Sequence, residues 1–116
     1  MRWLVPALAV TLTGCASVAE LEQTPATLDV ISGKSPQAYA HCVQQALAGS
    51  RAPLQLEERH DGVRLIVPQK LSAGPAAVFD IEKRGSGSSI KLYERLNNFP
   101  LRLGDVKTAG THCISG

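Results

Sequence analysis

The residues best suited to chemistry are three cysteines, Cys15, Cys42 and Cys113, and three histidines, two of which directly precede a cysteine as His41-Cys42 and His112-Cys113. Two His-Cys pairs suggest a metal site. However, structural zinc ligands come in knuckles with two to four residues between them, and adjacent helical residues point about 100° apart. No metal site and no cofactor are therefore expected. An even pair left after Cys15 reads instead as a disulfide between Cys42 and Cys113 in an oxidising compartment.

Other groupings are weaker still. His60 beside Asp61 could be drawn as a base with its orienting acid, but Asp61-Gly62 is also a hairpin-turn dipeptide. Glu57 and Glu58 are strand neighbours and point to opposite faces. Arg84-Gly85-Ser86-Gly87 resembles a phosphate cradle, yet it leads into the strand pattern Ile90-Lys91-Leu92 and not into a helix N-terminus. No Gly-x-Ser-x-Gly nucleophile elbow is present. No catalytic residues are assigned, and a non-enzymatic protein is expected.

Cys15 has a different setting. Arg2 is followed by a nine-residue apolar run from Leu4 to Leu12, too short for a permanent membrane helix, which needs about 20 residues. Residues 1–14 read as a signal peptide. Leu12-Thr13-Gly14-Cys15 resembles the bacterial lipobox, in which a thiol after two small residues receives a diacylglycerol and the new α-amine is acylated. Several chains at about 0.8 kcal/mol per buried methylene make a firm anchor. Cys15 is thus the expected lipidation site. The second mature residue is Ala16 and not Asp, which by the enterobacterial pattern implies the outer membrane, with the domain in the periplasm.

The totals set bounds. The chain has 116 residues, 44% hydrophobic and 4% aromatic, with 12 basic and 10 acidic side chains. One small domain fits, and a core so poor in aromatics gains from a covalent staple. Basic and acidic residues are interleaved along the sequence, which argues against nucleic-acid binding.

The elements that must position these residues follow from pattern. Residues 15–33 lack periodicity and are expected to be a flexible tether after the lipidated cysteine. Ser35-Pro36 opens a helix whose apolar stripe is Tyr39, Cys42, Val43, Ala46 and Leu47, with Gly49 as its left-handed cap. Leu54 and Leu56 share a face with Val63, Leu65 and Val67 across the Asp61-Gly62 turn. Ala77, Phe79 and Ile81 begin a second hairpin, turning at Gly85 to Ser89 and returning through Ile90 and Leu92. Leu103, Val106, Ala109, Gly110 and Cys113 predict a short closing helix. The expected fold class is α+β: a two-layer sandwich over residues 34–116, with a four-stranded, mostly antiparallel sheet and both helices on one face.

Lys91, Tyr93 and Arg95 alternate with the inward residues of the last strand, a row of cation, aromatic and cation. They are the candidate binding face for an envelope protein or an anionic glycan. The loop from Gln69 to Pro75 is the candidate protruding loop, were the protein instead an inhibitor of hydrolases or a small-ligand binder. From Ser35 to Cys113 the chain resembles a set of small proteobacterial lipoproteins of unassigned activity. The matching pieces are Ser35-Pro36-Gln37-Ala38-Tyr39 with Cys42-Val43, the Asp61-Gly62 hairpin, Lys91-Leu92-Tyr93-Glu94-Arg95 after a glycine-serine turn, and the late cysteine. The resemblance implies a lipoprotein domain and transfers no catalytic motif.

Overall fold

The computed structural model describes residues 13–69, 74–95 and 104–115. Its elements run α1 (Thr13–Glu22), β1 (Leu28–Ser32), α2 (Pro36–Leu47), β2 (Gln55–Arg59), β3 (Gly62–Pro68), β4 (Pro75–Arg84), β5 (Gly87–Glu94) and α3 (Asp105–His112). The fold is α+β, with an open sheet of order β1-β5-β4-β3-β2 in which every neighbouring pair is antiparallel.

The strand number and the N-terminal segment both depart from expectation. The sheet has five strands and not four, and residues 15–33 are not an irregular tether. That segment carries α1 and then β1, which pairs with β5 from Leu28 opposite Leu92 to Ser32 opposite Ser88. Side chains hold this edge in place. Ser32 Oγ donates to the Ile114 carbonyl at 2.6 Å, and Ser88 Oγ donates to the Lys34 carbonyl at 2.6 Å.

One face of the sheet carries the main core. Leu65, Phe79, Ile81, Ile90 and Leu92 are fully buried beneath Tyr39, Val43 and Leu47 of α2 and Val106 and Ala109 of α3. The two helices share that face as expected. The helical stripe is rotated slightly from its sequence reading, for Ala40 is buried and Ala46 is exposed. Ser35 caps α2 by accepting from the Ala38 N–H at 3.2 Å, with Pro36 in the first turn. Its other end closes on Ala48 in right-handed conformation, so Gly49 is not the left-handed cap. The closing helix begins at Asp105, and Leu103 lies outside the described residues.

Both hairpins turn in two residues. Arg59 pairs with Gly62, making His60-Asp61 the first turn in place of Asp61-Gly62. Gly62 is needed for a different reason: a Cβ there would strike the Ile81 carbonyl oxygen and sit 2.9 Å from Glu82 Cα. Arg84 pairs with Gly87, so Gly85-Ser86 is the second turn, with Gly85 at φ 60°, and Ser88 and Ser89 belong to the strand.

The opposite face is not left to solvent. Val18 and Leu21 of α1 are buried on Val78, with Ile66 and Tyr93 packed beside them. A third, partial layer therefore covers the sheet, correcting the two-layer expectation. Val78 is fully buried for this reason, although its strand parity assigns it to the outward face.

Candidate functional site

Strand register builds a charge ladder on the α1 face. Asp29 of β1 lies opposite Lys91 of β5, Lys91 opposite Asp80 of β4, Asp80 opposite Arg64 of β3, and Arg64 opposite Glu57 of β2. The sign alternates across all five strands, an arrangement in which every lateral pair is attractive. One row toward the Pro75 end lies the apolar row Tyr93, Val78 and Ile66, on which α1 sits.

Arg64 is the hub. Its Nη2 lies 3.2 Å from Glu22 Oε2 of α1, its Nη1 3.4 Å from Glu57 Oε1 and its Nε 3.5 Å from Asp80 Oδ1. Three carboxylates thus share one guanidinium. Burial and the hydrogen-bonded Asp80 carboxyl push Glu22 up to about 7, against the lowering pull of Arg64 and Arg59. Glu22 Oε1 accepts from Arg64 Nη2 at 3.3 Å, whereas the buried Oε2 has an ionic neighbour but no aligned donor.

Beside this cluster α1 roofs a cavity of about 540 Å³, lined at one end by Glu22, Glu57 and Arg64 and elsewhere by Val18, Ile66 and Pro75. Its size and mixed lining suit a small molecule or a partner side chain.

The anticipated row is placed differently from its sequence reading. Lys91 is exposed and stands within the ladder. Tyr93 is half-buried beneath α1, and burial followed by the field of Asp80 raises its pKa. Arg95 is half-buried, its Nε donating to the Pro75 carbonyl at 3.0 Å. The three share a strand face, but they form no open strip. Sequence reasoning missed Glu22 and Arg64 as partners, although outward charges at Glu57, Arg64, Asp80 and Lys91 were visible once hairpin register was assumed.

The remaining candidates separate. Cys42 and Cys113 form a disulfide joining α2 to α3, with Cα atoms 5.8 Å apart. His41 and His112 are exposed, and among the described residues no three His, Cys, Asp or Glu side chains are grouped to hold a metal. His60 and Asp61 are exposed turn residues. Glu57 faces Arg64 while Glu58, opposite Val63, points to the other face. Residues 70–73 of the Gln69–Pro75 loop lie outside the described residues. Cys15 stands in the first turn of α1, and among the described residues no helix is long and apolar enough to cross a membrane.

Compared with family models, curated proteins and solved structures, the chain matches none.

Proposed function

We propose that this chain is a lipid-anchored cell-envelope protein, held in the outer membrane by acyl chains on Cys15 and serving as a non-enzymatic module that binds or supports another envelope component. The observation that carries the reading is Leu12-Thr13-Gly14-Cys15, placed after Arg2 and a short apolar run and leading into α1. The Cys42–Cys113 bridge supports export, since such bonds persist in oxidising compartments. Cys15→Ser is expected to abolish labelling by radioactive palmitate and leave uncleaved precursor or released soluble protein. Equal label on both forms would refute the anchor.

A second reading is a periplasmic inhibitor or small-ligand binder acting on hydrolases, whose ligand-binding form draws support from the cavity lined by α1. Pulldown of tagged protein from solubilised envelopes separates the two. A stoichiometric membrane partner supports the first, and a soluble hydrolase the second.

A further inference from the structure

The position of Cys15 relative to the docked part of α1 bears on how the domain meets the membrane. Val18 and Leu21 are fixed on Ile66, Val78 and Tyr93, and Glu22 on Arg64. Only three peptide steps separate Cys15 from Val18. They span at most about 11 Å fully extended, and about 4.5 Å as helix. This bound holds whether or not the first turn frays. Were residues 15–27 a free tether, twelve steps would reach about 40 Å before the Thr27 N–H, which donates to the Leu92 carbonyl.

The helix also has a direction. Val18 packs on Val78, and one turn later Glu22 stands beside Asp80. The N-terminus of α1 therefore points toward the Pro75 end of β4, where β3 ends at Pro68. The turns His60-Asp61 and Gly85-Ser86 lie at the other end of the same strands. With ten residues in β4, the two poles stand about 30 Å apart.

We propose, resting on the lipid anchor argued above, that α1 holds the Pro75 end of the sheet directly against the lipid bilayer. The two hairpin turns then face the periplasm, as the pole offered to a partner. In this arrangement α1 is a mount and not a leash. Its release would move the domain off the membrane without breaking the anchor.

The test uses full-length lipidated protein in vesicles of phosphatidylethanolamine and phosphatidylglycerol that carry a headgroup quencher. A fluorescent non-natural residue replaces Ala52 or Ser86, both exposed. Ala52 marks the near pole, because the neighbouring Arg51 donates from Nη1 to the Pro68 carbonyl at 2.9 Å. Quenching several-fold stronger at Ala52 than at Ser86 is expected. In the Val18→Asp/Leu21→Asp variant that difference should vanish, while vesicle flotation and disulfide content stay unchanged and far-UV circular dichroism loses no more than the contribution of α1. Protein that fails to float overturns the anchor, and this proposal with it. Protein that floats but is quenched equally at both positions, or whose quenching ignores the α1 variant, overturns the mount alone.

Discussion

The hydroxyl of Tyr39 donates to the Gly110 carbonyl at 2.7 Å, and three residues further along each helix Cys42 is bonded to Cys113. Two ties one helical turn apart, one polar and one covalent, clamp α2 against α3. The Tyr39 ring meets Phe79 edge-on, with centroids 6.2 Å apart, and burial raises the pKa of its hydroxyl. Tyr39→Phe leaves the buried Gly110 carbonyl without this donor and should cost about 1–2 kcal/mol in urea unfolding.

Gly110 itself tests which of two opposed effects wins. Alanine gains about 1 kcal/mol of helix propensity. Its Cβ, however, would sit 3.0 Å from Phe79 Cε2 and 3.1 Å from Leu28 Cδ2, against side chains held in the core. Overpacking costs about 1–3 kcal/mol. Gly110→Ala is therefore expected to lower stability, by about 1 kcal/mol net, and a gain would show that Phe79 can yield.

The disulfide spans 71 residues of sequence, for which loop-closure entropy gives about 4 kcal/mol. Cys42→Ala and Cys113→Ala should each destabilise the domain by about 2–5 kcal/mol. The double variant should be little worse, since a single bond is lost in every case. Thiol titration of the unfolded, oxidised, lipid-free domain should find neither cysteine free.

Glu22 imposes a pH dependence on α1. Its carboxyl is raised from 4.5 to about 7 by folding, so the folded protein binds the proton more tightly than the unfolded chain. The resulting stabilisation is complete below pH 4.5 and lost as pH rises through about 7. Protection factors in α1, taken relative to intrinsic base-catalysed exchange, should fall across that window in the wild type. Glu22→Gln, which holds a neutral side chain at every pH, should flatten the response. An unchanged pH profile in that variant would place the titration elsewhere.

The ladder gives a pairwise prediction. Lys91→Glu sets three like charges in register with Asp29 and Asp80, and should cost about 1–2 kcal/mol at low salt. Adding Asp29→Lys should recover part of that loss, and salt should shrink the whole effect. Full additivity of the two substitutions in thermal unfolding would mean that the register partners do not interact.

The sequence alone determined what is local. The resemblance of Leu12-Thr13-Gly14-Cys15 to a lipobox is read from adjacent residues, the Ser35-Pro36 start of α2 is a short-range hydrogen bond with a fixed φ, and period-two alternation marks the inward faces of both hairpins, whose turns were then set by register. Pairing Cys42 with Cys113 followed from counting and from the oxidising compartment that the signal-peptide reading implies. What tertiary structure decided was whatever depends on partners remote in sequence. β1 is a five-residue edge whose ladder is supplied by β5, some sixty residues later. Its own alternation, half-buried and exposed by turns, is too short to stand out beside Pro25 and Gly33. Likewise, among its described side chains, α1 sets the apolar Val18 and Leu21 on the sheet, too narrow a stripe to read as amphipathic, with Glu22 beside Arg64 from another strand. Tyr93 shows the consequence most directly. Strand parity assigned it to the outward face, but parity does not say what lies over that face. Only the return of residues 13–22 across β4 and β5 turned an expected binding row into the seat of a helix.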